Sequence, residues 1–143
     1  MAATPWAIYN KAKKKLGNGT IQLGVNIFRV QLHKSTSNAS VATLSTAASV
    51  TNELATASGY TVGGKSVLTV TWTTGVSIQQ YRFDAADPFW SMTGTVTSIM
   101  FAVLKNSAGQ AVAWSKLSTA IFSVTSGNRL TLQLDANGIF TLL

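Results

Sequence analysis

A chain of 143 residues suits one domain, and with 46% hydrophobic against only 10% charged residues it is neither disordered nor a typical charge-rich surface. The absence of cysteine excludes disulfides and thiolate metal sites, and a single histidine, His33, excludes a His-rich metal centre or a histidine pair. The 11 basic and 4 acidic residues give a net charge of +7, which points toward anionic surfaces.

Thr4-Pro5 predicts a helix start, a hydroxyl cap followed by proline at the first helical position, and Gly17 predicts its end. At about 100° per residue, Trp6, Ile8, Tyr9, Ala12 and Leu16 share an apolar arc. Lys11, Lys14 and Lys15 lie on the other arc, with Lys13 at the margin, and no acid precedes Glu53. So short a helix is marginal alone and must dock on something. The expectation is a basic helical arm over residues 1–19, with Trp6, Tyr9, Lys11, Lys13, Lys14, Lys15 and Leu16 as its partner-binding residues. The apolar arc would supply affinity and the lysines orientation toward an acidic patch.

From Thr20 the spacing changes to alternation. Ile21, Leu23 and Val25 alternate, then Phe28, Val30 and Leu32 in the opposite phase, so a bulge or two short strands is predicted around Asn26-Ile27. Residues 35–58 are Ser-, Thr- and Ala-rich with few large apolar side chains, which predicts a long surface excursion.

GYTVGGKS, Gly59 to Ser66, satisfies the phosphate-loop pattern G-x-x-x-x-G-K-[ST]. That loop must leave a buried strand and open a helix whose N-terminus completes the anion site. Here Leu68, Val70 and Trp72 alternate with Thr69 and Thr71, a strand signal, and TNELATAS before the motif lacks a buried strand's apolar run. The segment therefore reads as a glycine turn entering a strand, with Lys65 beside it and no nucleotide role.

Further strands are predicted at Val67–Trp72, Ile78–Phe83, Val96–Leu104, Ala111–Trp114, Ile121–Val124, Leu130–Leu134 and Ile139–Leu143, separated by turn residues such as Asp87-Pro88 and Asn137-Gly138. Ile99 to Leu104 is apolar on both faces and belongs in the centre of a sheet. Asp84 and Asp87 in FDAADP read as turn formers rather than paired catalytic carboxylates. A Ser-His-Asp arrangement would need His33, but no G-x-S-x-G nucleophile motif occurs. The expected fold is all-β, an antiparallel sandwich of about eight strands over residues 20–143, with a short N-terminal helix. No catalytic residue, cofactor or metal is assigned. No secretory signal or membrane-spanning stretch is read.

YNKAKKKLGNGTIQLG, GYTVGGKS, FDAADPFW and the closing DANGIFTL together resemble small virion proteins of tailed bacteriophages. Within that group the chain is most similar to capsid cement (decoration) proteins. The resemblance implies a jelly roll and a non-enzymatic role bridging major capsid subunits. It further implies self-contact as a dimer or trimer and a place on the virion's capsid surface after assembly in the host cytoplasm. A neck or tail component of the same virion is one alternative. The other is a small basic nucleic-acid-binding β-domain, which the shortage of basic residues among Trp72, Tyr81, Phe83, Phe89 and Trp90 disfavours.

Overall fold

In a computed structural model describing residues 4–75, 77 and 79–142, short antiparallel strands enclose one hydrophobic core. In chain order the elements are β1 (Ala7–Ile8), α1 (Asn10–Gly17), β2 (Phe28–Lys34), a 3-10 turn (Ala47–Ser49), β3 (Lys65–Ser66), β4 (Thr71–Thr74) and β5 (Tyr81–Asp84). They continue with β6 (Phe89–Ser91), β7 (Val96–Asn106), β8 (Ala111–Lys116), β9 (Phe122–Val124), β10 (Arg129–Thr131) and β11 (Phe140–Leu142).

The main sheet runs β1-β8-β7-β2-β3, with β9 pairing the first part of β7. β7 is central for the reason its sequence suggests: Ile99, Ala102, Val103 and Leu104 are all fully buried, so side chains on both faces leave water. Ser98 interrupts it at φ 62°, where the pairing with β9 slips between Val96 and Ile99. A second sheet, β11-β5-β4, faces the first. Phe83 on β5 joins them, its ring edge-on to Phe28 of β2 at 4.9 Å and stacked on Phe140 of β11 at 5.2 Å. β6 and β10 form a third, two-stranded sheet. The all-β antiparallel class with one short helix holds. The pairings fall into sheets of six, three and two strands and do not by themselves draw the two four-stranded sheets of a jelly roll.

Three expectations are corrected. The helix does not start at Thr4-Pro5, because residues 4–8 are extended along β8: the Thr4 N–H donates to the Lys116 carbonyl at 2.8 Å, and Ala7 and Ile8 pair with Trp114 and Ala113. Proline is tolerated there because an edge segment needs no N–H on its outer side. The described part of residues 1–19 is therefore not a separate arm, since residues 4–8 bond to β8 and Tyr9 and Ala12 are fully buried. The strand expected from Ile21 to Val25 is a turn, closed by Asn26, whose side chain accepts the Gln22 N–H at 2.8 Å while its own N–H returns to the Gln22 carbonyl at 2.9 Å. The alternation survives only as burial of Ile21 and Leu23, while Val25 is left 76% exposed.

Residues 35–58 are less loose than their composition suggests. Leu54 donates its N–H to the Leu32 carbonyl at 3.0 Å, Asn38 accepts the Thr51 N–H at 2.8 Å, and Ala39, Val50 and Leu54 enter the core. Of the expected strand residues, Ile78 and Leu143 lie outside the described ones.

Candidate functional site: the glycine loop and the lysine helix

The GYTVGGKS segment packs back on its own fold. After Ser66 the chain runs through Val67 to Val70 into β4, so no helix opens at this loop. Gly64, at φ 74°, lies so close to β2 that a Cβ would strike the Val30 carbonyl, and one on Gly59 would strike the Ser91 carbonyl. The loop N–H of Gly63 donates to Oε1 of Glu53 at 2.7 Å, so the chain's own carboxylate takes the donor that an anion would need. Tyr60 donates to the same oxygen at 2.6 Å and accepts the Leu32 N–H at 3.1 Å, while Gln31 donates to Oε2 at 2.6 Å. Burial first, and the Glu53 carboxylate second, push the Tyr60 phenol above its ordinary range, which keeps it a donor. Arg29 closes the network from below, reaching the Gly63 and Gly64 carbonyls at 3.0 and 2.6 Å. The motif's lysine, Lys65, donates to the Phe89 carbonyl at 2.6 Å and lies over that ring at 4.2 Å, with Arg129 also against the ring at 3.6 Å.

His33 sits beside this network, fully buried, with Nδ1–H donating to the Thr51 carbonyl at 2.9 Å. Burial lowers its pKa, against the opposing pull of that carbonyl and of Glu53, so the ring is neutral and its buried Nε2 has no described partner. No aspartate approaches it in the hydrogen bonding: Asp84 accepts the Ala85 N–H, Asp87 the Leu134 N–H and Asp135 the Asn137 N–H, each at 2.8 Å. Neither Asp84 nor Asp87 acts as a turn former: Asp84 ends strand β5, paired with Thr71, and among the described residues its carboxylate accepts only from the next residue. Asp87 instead anchors a segment distant in sequence.

The residues expected to meet a partner are split by the structure. Tyr9 is removed from the set, because its ring is fully buried and its hydroxyl donates to the Ala39 carbonyl at 2.6 Å. Lys15 turns inward, donating to the Ser45 carbonyl at 3.0 Å, to the Ser45 hydroxyl and to the Gln110 side chain. Trp6 is half-buried over a cavity of about 670 Å3 that it shares with Ser115, Leu132 and Phe140. Lys11, Lys13 and Lys14 are exposed, and Leu16 is half-buried. Trp6 and Leu16 thus face different surfaces, and the single apolar arc is lost because residues 4–8 are not helical.

A second feature was not legible beforehand. Leu16 and Lys13 line an open groove of about 400 Å3 whose other walls are Ile21, Leu23, Trp72 and Leu142. Lys13, Leu16 and Gly17 share a helix face by the i, i+3, i+4 rule. β4 and β11 supply the opposite wall. In the second sheet Trp72, Phe83 and Phe140 align across the strands, as do Thr74, Tyr81 and Leu142, on the same face. That face packs as core at Phe83 and opens at Trp72, Tyr81 and Leu142. Only the juxtaposition of α1 with β4 reveals it.

Among the described residues no group of three or more His, Cys, Asp or Glu could hold a metal ion, and no helix is long and apolar enough to cross a membrane. Comparison with known proteins finds no matching family model, no matching curated protein and no matching solved structure.

Proposed function

We propose that this chain is a structural virion protein, a cement protein that stabilises a phage capsid shell by bridging major capsid subunits. What carries this reading is the surface. Val25, Ile27, Leu68 and Ile121 are 76, 64, 68 and 59% exposed on a protein with only 10% charged residues. Large apolar side chains set apart on a charge-poor exterior suit several modest contacts with neighbouring subunits, and avidity multiplies such contacts. Stable interfaces bury about 800 Å2 per partner, within reach of a domain this size. Each carboxylate, Glu53, Asp84, Asp87 and Asp135, is bonded by the chain's own N–H or O–H donors. Lys11, Lys13 and Lys14 are thereby left to meet acids supplied from outside. The likeness of YNKAKKKLGNGTIQLG, GYTVGGKS and FDAADPFW to small virion proteins supports the same reading.

The test is to locate the chain in purified particles. Mass spectrometry of capsids separated from tails should find it in the capsid fraction, in stoichiometric ratio to the major subunit. Recovery only with tails would make it a neck or tail component. Retention on DNA, with a salt slope equivalent to several phosphate contacts, would instead support the nucleic-acid reading.

A further inference from the structure

We propose that the cleft under Trp6 binds a neutral sugar, a pyranose unit of a glycan, stacked on the indole and held at its hydroxyls by Gln133, Asp135, Asn137 and Thr141. This role goes beyond the cement reading and does not depend on it.

Charge narrows the ligand first. The chain carries 11 lysines and arginines, and two smaller cavities include some of them: Lys13 in the groove of about 400 Å3, Arg29 and Lys65 in one of about 450 Å3. The cleft of about 670 Å3 has none among its lining residues, and its one carboxylate is Asp135. A phosphate, a nucleic acid or an acidic peptide therefore finds no counter-charge there.

Shape and polarity narrow it further. Residues 4–8 are extended, so Trp6 and Ile8 fall on one face, and both are half-buried. With the buried Leu132, Ile139 and Phe140 they make an apolar floor. Around it stand exposed side chains that both donate and accept, the amides of Gln133 and Asn137 and the hydroxyl of Thr141, together with the acceptor Asp135. A pyranose ring has the matching pattern: an apolar C–H face that lies against an indole, and hydroxyls at its edge that each donate and accept. The volume falls within the ~300–1,000 Å3 of small-ligand sites.

The hydrogen bonding separates this rim from ordinary loop surface. On one side Thr4 donates its N–H to the Lys116 carbonyl at 2.8 Å, and its own carbonyl accepts the Ser115 hydroxyl at 2.7 Å. On the other, Leu132 and Leu134 donate their N–H groups to the Pro88 carbonyl and the Asp87 carboxylate at 2.9 and 2.8 Å. The Asn137 and Gly138 N–H groups close a turn on Asp135, each at 2.8 Å, and Arg82 braces it by donating to the Ala136 carbonyl at 3.1 Å. Gly138, at φ 94°, sits where a Cβ would strike the Phe83 carbonyl. The side-chain ends of Gln133, Asn137 and Thr141 nevertheless make no hydrogen bond among the described residues, and Asp135 uses only Oδ1. A rim fixed in its backbone and free in its side chains binds without first being ordered.

An organic cation is the nearest competitor, since indole and carboxylate both attract one. A cation cannot accept from the two amides, however, and the cleft offers it a single exposed carboxylate.

The test titrates the full chain with maltose, cellobiose, lactose and diacetylchitobiose, followed by saturation-transfer NMR and calorimetry. At least one should bind with a Kd of ~1 mM or tighter, and choline and inorganic phosphate should neither bind nor compete. Gln133→Ala and Asn137→Ala should each weaken that sugar about fivefold, the worth of one hydrogen bond, with the melting temperature unchanged. Trp6→Ala should weaken it about tenfold or more. Because Trp6 also packs against the core, Trp6→Phe, which keeps an aromatic face, should restore most of the binding. Asp135→Asn keeps an oxygen for the turn and an amide for a hydroxyl, so sugar binding should persist, whereas a cation would be lost. No binding by any of these sugars overturns the proposal, as does binding that survives Trp6→Ala, Gln133→Ala and Asn137→Ala alike. Choline binding that Asp135→Asn abolishes would assign the cleft to a cation and overturn it too. Because this assay contains no capsid, its failure leaves the cement reading standing. Absence of the chain from capsids would overturn that reading and leave the sugar result untouched.

Discussion

The Gly59–Ser66 loop and helix α1 both present lysine beside glycine, and the structure uses them in opposite ways. In the loop the groups that could hold an anion have internal partners: Gly63 and Tyr60 meet Glu53, Arg29 meets two carbonyls, and Lys65 meets Phe89. In the helix only Lys15 is so held, and Lys11, Lys13 and Lys14 face solvent beside an apolar groove. A motif that matches a ligand-binding pattern can thus be internal scaffolding, while an unremarkable charge run retains the free groups that recognition requires. Satisfaction of hydrogen bonds, not resemblance to a pattern, separates them.

The comparison breaks most severely at Tyr9, where the helix segment is itself core. Tyr9→Ala removes a fully buried ring and its bond to the Ala39 carbonyl, and should cost about 4 kcal/mol in chemical denaturation. Deleting residues 1–16 should accordingly prevent folding, as judged by loss of the cooperative transition. A folded truncation product would restore the separable arm.

Next in size is a contrast inside the loop. Gly64→Ala drives a methyl into the β2 backbone at a positive φ and should cost about 3 kcal/mol or more. Gly63→Ala, at φ 95° but with open space around its Cβ position, should cost only about 1 kcal/mol. Equal costs would mean that backbone conformation, not proximity to Val30, makes the glycine pair necessary.

A smaller effect comes from His33. Its folded pKa lies below the unfolded value, so as pH falls through ~6.5 the unfolded chain takes up the proton first and stability declines. The melting temperature should therefore drop between pH ~7.5 and ~5.5, and His33→Gln should flatten that drop. An identical decline in the variant would assign the acid sensitivity to other groups. Least of all should change when Lys11, Lys13 and Lys14 are replaced together by Gln. Stability should stay within about 0.5 kcal/mol, since exposed charges contribute little, while attachment to shells weakens. A marked loss of stability would show that the helix lysines, like Lys65, serve the fold.

Much of the architecture was legible because local physics and tertiary context agree. The doubly apolar run from Ile99 to Leu104 predicts a central strand, and β7 is one. The alternation Leu68-Val70-Trp72 excludes the helix a phosphate loop requires, and none follows Ser66. Agreement failed where a weak local signal met a strong distant one. Thr4-Pro5 has good helix-start chemistry worth about 1 kcal/mol, but the open edge of β8 offers residues 4–8 a ladder of backbone bonds. Ile21 to Val25 alternates like a strand, yet Asn26 folds it into a turn.

The sequence by itself determined the all-β class, the central strand, the helix end at Gly17 and the strand context of GYTVGGKS, since each depends on periodicity or on neighbouring residues. Only the tertiary structure decided that Tyr9 is core, that Glu53 fills the loop's donors, and that Lys13 and Leu16 share a groove with Trp72 and Leu142. Those facts join residues tens of positions apart. Hydrophobic periodicity reports which face of an element is buried, but not which other element covers it, and that choice is made by packing of the whole chain.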